Sequence, residues 1–157
     1  MKIAPGKIEQ FVANPGSAVR VVLVYGPDAG LVRERSDALM RSAVPDLADP
    51  FRVAELGGDA VARDPALLAD EAAAIALTGG RRAVRLRDAG DAHADAVKSM
   101  LAGPAGDSLV VLQAGELSPR SALRKLIEDA EAGAAVPCYA DEIRDLDRVI
   151  RETLAAD

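Results

Sequence analysis

Two stretches of this chain, "VRVVLVY" at 19–25 and "SLVVLQA" at 108–114, are nearly unbroken runs of aliphatic residues. A strand with one wet face alternates apolar and polar residues, so a continuous run has to be covered on both sides. Three further strands are expected at 51–56 ("FRVAEL"), 81–88 ("RRAVRLRD") and 134–139 ("AAVPCY"). Helical stretches separate them. Ile8, Phe11 and Val12 give apolar spacing to a short helix over 6–13, and "NPG" at 14–16 breaks it. A second helix runs from near Gly30 to before Pro45. A third opens with Asp64 as cap and Pro65 at the first helical position, carries Leu67, Leu68 and Ile75, and stops at Gly79-Gly80. A fourth covers 92–102, a fifth runs from Ser118-Pro119 to Gly133, and "DEIRDLDRVIRETLAAD" at 141–157 is amphipathic. Strands alternating with helices predict an α/β domain, a three-layer fold around a five-stranded, mostly parallel sheet.

The strands also carry information about their places. Pro137 cannot donate a ladder hydrogen bond, which puts strand five at an edge. Strand two mixes charged and apolar residues and suits the other edge. The order 5-1-4-3-2 of P-loop and AAA+ domains satisfies both, and so does the flavodoxin-like order 2-1-3-4-5.

Composition narrows the function. With only Phe11, Tyr25, Phe51 and Tyr139 as aromatics, the core has to be aliphatic. A net charge of −6 argues against autonomous nucleic-acid binding, which draws its affinity from Lys and Arg on phosphates, and against an anionic membrane surface. One cysteine makes no internal disulfide, and no Cys/His pattern has metal spacing. "MKIAPGKIEQF" lacks a signal-peptide core and no run is long enough to span a bilayer, so a cytoplasmic location is expected.

The turn after strand one sits where nucleotide-binding folds place their phosphate loop, G-x-x-x-x-G-K-[ST]. From Gly26 this chain reads "GPDAGLVR". Leu31 stands for the second glycine, Val32 for the lysine and Arg33 for the magnesium-binding hydroxyl. The loop is degenerate, and no cofactor or metal is expected. Asp88 ends strand three, in the place of an acidic metal ligand or of a receiver domain's phosphoacceptor. Without a lysine after strand five, the receiver alternative is disfavoured. An active P-loop NTPase is the other alternative. His93 reads as a surface residue and Cys138 as a packed thiol. Arg81, Arg82, Arg85 and Arg87 crowd strand three. Arg85 and Arg87 share a face, which must be partly open or let their stems reach its edge.

Taken together, "LVYGPDAGLVRERSDAL" at 23–39, "ALTGGRRAVRLRDAG" at 76–90 and "LVVLQAGELSPRSALRKLIEDAEAGAAVPCY" at 109–139 resemble the N-terminal, AAA+-like domain of the delta subunits of bacterial DNA polymerase III clamp loaders. The resemblance implies an AAA+-like domain over 1–140 and the start of a helical lid at 141–157, with the remaining lid and a collar absent. It implies a non-catalytic subunit that binds and opens the sliding clamp (beta subunit) without hydrolysing ATP. Other loader subunits would be met through the collar, primed DNA only within the assembled loader, and no membrane. The clamp-binding element falls on "AIALTGG", so Leu77 is the implied anchor, helped by Thr78 or Ile75. Thr78 departs from the aromatic common in the family, and Ile75 is expected to be core while Leu77 is exposed. Arg81, Arg82, Arg120, Arg124 and Lys125 are candidate DNA or subunit contacts, and "SPRSALRK" lacks the family's arginine-finger motif.

Overall fold

The computed structural model describes residues 1–76, 79–104 and 106–139. The elements, in chain order, are α1 (Ile8–Ala13), β1 (Val21–Tyr25), α2 (Ala29–Ala43), β2 (Val53–Gly57), α3 (Gly58–Arg63) and α4 (Ala66–Ala73). They continue with β3 (Ala83–Ala89), α5 (Ala94–Ala102), β4 (Leu109–Ala114), α6 (Ala122–Asp129) and β5 (Gly133–Pro137). Short 3₁₀ turns precede α1 and α5. The five strands form one parallel sheet of order β2-β3-β4-β1-β5. This is one of the two orders that Pro137 and the mixed character of strand two allow, the one of P-loop and AAA+ domains. It excludes the flavodoxin-like order, and with it the receiver reading of Asp88.

The two aliphatic runs lie in the middle and pair along Val21↔Val110 to Val24↔Gln113. Every residue of β1 is buried, as is all of β4 except the half-buried Gln113. Fully burying one Val or Leu is worth about 1.5–3 kcal/mol, so these strands carry much of the fold's hydrophobic stabilisation. Alternate strand residues serve two separate cores. Leu23, Leu86 and Leu112 pack with Val61, Leu68, Val97, Met100, Leu123 and Ile127 from α3 to α6. Val22, Val24 and Val111 pack with Ile8, Val12, Val32, Leu39 and Met40 from α1 and α2.

The β5 edge does not stand bare. Ala135 N–H donates to Met1 O (2.8 Å) and Ile3 N–H donates to Ala135 O (3.0 Å), so the first residues run beside it.

Several local expectations are corrected by the structure. Gly58 opens α3 directly after β2. Asp64 does not cap α4 with its side chain; its backbone carbonyl takes the Leu67 N–H (3.1 Å) and the helix begins at Ala66. The helix after strand four begins at Ala122, not at Ser118-Pro119, because Ser118 and Arg120 form a separate turn and Ser121 is the cap. His93 is buried, not a surface group. Its Nδ1 accepts the Gly90 N–H (3.1 Å) and its Nε2 lies 2.8 Å from Gly58 O, which joins the end of β3 to the start of α3.

Gly26, directly after β1, has φ +146°, and a Cβ there would lie 2.2 Å from the carbonyl oxygen of Cys138. Both the backbone angle and the space require glycine. Gly26→Ala is therefore expected to destabilise the domain by about 2 kcal/mol or more, read as a lower urea midpoint with an unchanged slope. An unchanged midpoint would show that the β1 and β5 ends do not meet this closely.

Candidate functional site

The loop after β1 is built for packing at the positions where a phosphate loop makes ligand contacts. The Gly26 N–H is donated to Gly115 O (3.1 Å). Asp28 caps α2, its Oδ1 accepting the Leu31 N–H (3.1 Å). A carboxylate thus occupies a helix N-terminus at which an incoming phosphate would seek the same donors, and its charge opposes an anion there. Leu31 and Val32, in the places of the second glycine and the lysine, are buried in the core under α2. Arg33 alone of the four degenerate positions points outward and is exposed. Asp88 is exposed at the end of β3 with φ +55°, beside a shift in the β3–β4 register. Among the described residues no cluster of three or more His, Cys, Asp or Glu could hold a metal ion. No described helix is long and apolar enough to cross a membrane.

The arginines of strand three separate into different roles. Arg82 is buried and donates Nη1 to Glu71 O (2.6 Å), Nη2 to the Glu71 carboxylate (2.9 Å) and Nε to Phe51 O (3.4 Å). All of those donors are spent inside the domain, which corrects its reading as a surface contact. Arg85 is also buried, between Glu55 on β2 and Ser36 and Asp37 on α2. Burial pulls its pKa down, but the bonds from Glu55 and Asp37 outweigh that and hold it above the usual value. Arg87 is exposed and leans on the second oxygen of Glu55 (3.1 Å). Arg81 donates to Asp107 O (3.0 Å) at the surface.

On α6 the basic residues divide likewise. Arg124 lies over the Tyr25 ring, 4.9 Å from its centroid, and binds Glu128 (2.7 Å) and Leu117 O (3.0 Å). Arg120 and Lys125 are exposed. Cys138 is buried, as expected, with Arg35 Nη1 3.6 Å from its sulfur.

The segment between α4 and β3 departs most from expectation. The helix does not continue to Gly79. It ends at Ala73, and Ala74 is extended. The cause is tertiary. Arg82 takes the Glu71 carbonyl, one of the last-turn acceptors that a helix leaves open. The 106–108 turn comes so close that a Cβ on Gly106 would lie 2.7 Å from Ala72 O. Ala72 and Ala76 are buried, while Ile75 stands 87% exposed. The expectation that Ile75 is core is therefore overturned. Leu77 and Thr78, like residues 141–157, lie outside the described residues. An open groove of about 430 Å³ adjoins Ile75, lined in part by Ala73, Ala76, Arg82 and Pro104.

Comparison with known proteins gives a result in structure alone. No family profile matches the chain, and no curated protein matches it in sequence. A Bacillus subtilis DNA clamp loader delta protein superimposes with a TM-score of 0.63 at 19% identity, over 86% of this chain and 42% of that one. A DNA polymerase III gamma subunit-related protein from Thermotoga maritima gives 0.55 at 18% identity, over 90% of this chain and 48% of that one. The chain thus spans less than half the length of either neighbour. It shares their AAA+-like α/β fold.

A last feature near the end of β3 sets a pH dependence. Asp91 accepts the Ser121 hydroxyl and the Leu123 N–H (3.2 Å) at the start of α6. The Ser121 bond, followed by the Leu123 amide, holds its carboxyl below the ordinary value of 3.8. A carboxyl depressed on folding stabilises the protein above its unfolded pKa, and that contribution fades as pH falls through the lower folded value. Asp91→Asn should accordingly lower the urea midpoint at neutral pH, with the gap to the parent closing below about pH 4. A gap of constant size down to pH 3 would contradict the assignment.

Proposed function

We propose that this chain is the clamp-gripping part of a delta-type subunit of a DNA polymerase III clamp loader, which binds and opens a sliding clamp without hydrolysing ATP itself. The observation that carries the proposal is Ile75, a large aliphatic side chain left almost fully in water on the segment where the sequence resemblance places clamp contact. Soluble domains do expose single apolar residues. Here, however, a spent arginine and a close-approaching turn hold the end of α4 just ahead of it. Anchors of interfaces gain most when a rigid element presents them to a pocket. In this reading Ile75 inserts with Leu77 into an apolar pocket of the clamp, and Thr78 adds less than an aromatic would.

The degenerate loop supports the non-catalytic half of the proposal. With Leu31 and Val32 in the core and Asp28 on the α2 amide, the loop brings neither the lysine nor the magnesium-binding hydroxyl that turnover of a triphosphate needs. The other loader subunits would be contacted through lid and collar regions, primed DNA only within the assembled loader, and the location would be cytoplasmic. Arg120 and Lys125, exposed on and before α6, are the basic residues there that remain available for DNA or a neighbouring subunit.

Surface plasmon titration against the sliding clamp of the same organism tests the anchor. Ile75→Asp and Leu77→Ala should each weaken binding about tenfold or more, equivalent to about 1.4 kcal/mol. Unchanged affinity in both variants would refute the docking assignment. For the catalytic half, adding magnesium should leave the calorimetric titration with ATP unaltered. Magnesium-dependent ATP binding with turnover would instead establish an active NTPase.

A further inference from the structure

The thinly covered side of the sheet holds a second feature with the chemistry of a ligand site. Beside α2, an open groove of about 400 Å³ is lined by Arg33, Asp37, Leu47, Arg85, Arg87 and Gln113. Half of those residues are arginines, in a chain whose net charge is −6. Their charges are unequally compensated. Arg85 is buried and engages both nearby carboxylates, Asp37 and Glu55. Arg87 is 56% exposed along its side chain and has only a share of Glu55. Arg33 is exposed and has neither a hydrogen bond nor an ion pair to any described residue. Three guanidinium groups thus meet two carboxylates, and both carboxylates are already engaged.

Position sharpens the meaning of this excess. Arg33 stands where a phosphate loop carries its magnesium-binding hydroxyl, and Arg87 directly precedes Asp88, the acid at the end of β3. Asp88 does not line the groove. A divalent cation is disfavoured beside two outward guanidiniums. An oxyanion there would meet fixed positive charge of the kind that a metal ion otherwise supplies. Guanidinium is suited to the task, since its planar fork pairs bidentately with phosphate oxygens. The Gln113 amide adds a neutral donor at the end of β4, and the groove has the size of a small-molecule site rather than of a single ion.

We propose that this groove is a metal-independent oxyanion site that takes a condensed phosphate chain, whether free polyphosphate or the tail of a nucleotide, between Arg33 and Arg87. It is distinct from the docking segment at Ile75 and does not depend on that segment's assignment.

Isothermal titration at physiological salt with EDTA present tests it, using tripolyphosphate, ATP and inorganic phosphate as separate probes. Saturable one-site binding of tripolyphosphate or ATP is expected. Arg33→Gln and Arg87→Gln should each weaken it about tenfold, and the double variant should abolish it. Arg33 has no hydrogen-bond or ion-pair partner among the described residues to lose, so its substitution leaves the fold intact. Arg41→Gln, at an exposed position in the last turn of the same helix, should change nothing. Tighter binding of ATP than of tripolyphosphate would assign the site to nucleotides, and the reverse to free polyphosphate. The proposal is overturned if none of the probes saturates, if binding requires magnesium, or if Arg41→Gln weakens binding as much as Arg33→Gln does.

Discussion

The guanidinium of Arg85 ties together the part of this domain that its hydrophobic layers leave thin. Among the described residues, helices α3 to α6 cover one face of the sheet, whereas α1 and α2 alone cover the other. Toward the β2 edge that second face has no deep aliphatic core. Arg85 fills the place, reaching Glu55 on the edge strand and Ser36 and Asp37 on α2. A buried ion pair is weak evidence of net stability, because desolvation offsets much of the attraction. Its value here is positional. Glu55 and Arg85 are register partners across β2 and β3. A slip by one residue would turn Arg85 into the aliphatic core that Val84 and Leu86 now enter, where it would have no carboxylate.

The same thin face gives the protein its polar groove, while the well-covered face adjoins the segment that carries Ile75. On the covered side, α4 is stopped by Arg82 and by the backbone approaching at Gly106, and Ile75 emerges just past that stop. The two ends of strand three thus carry different chemistry. Its entrance lies by an exposed aliphatic side chain just past a helix end bonded by a buried arginine. Its exit presents arginines with incompletely matched charge. The loop after β1 turns Leu31 and Val32 into the core and leaves Arg33 to line the groove.

Much of the architecture was legible from residue pattern. The unbroken aliphatic runs placed β1 and β4 in the interior, and Pro137 and the charged residues of 51–56 placed β5 and β2 at the edges. These inferences held because they rest on burial and hydrogen-bond capacity, which each residue carries with it. The loop could also be read as degenerate, because the missing lysine and hydroxyl are visible as Val32 and Arg33. Ile75 was misjudged for the opposite reason. Its spacing from Leu68 suited a continuing helix, and nothing local announced that Arg82 and Gly106 would end the helix first. His93 was misread in the same way, since its partners Gly58 and Gly90 come together only at the junction of β3 and α3.

The sequence by itself determined the layers, the two edge strands and the absence of a complete phosphate loop, because periodicity, proline and missing functional groups act locally. Only the tertiary structure decided which arginines are struts and which face water. Four arginines within seven residues look alike in sequence. Two of them became buried, Arg82 and Arg85, because carboxylates from α2, β2 and α4 were folded against them. Arg87 stayed largely in water, opposite Gly57 where the pairing of β2 with β3 ends. A charge can be buried only where distant parts of the chain bring its partner, and that meeting is a property of the fold.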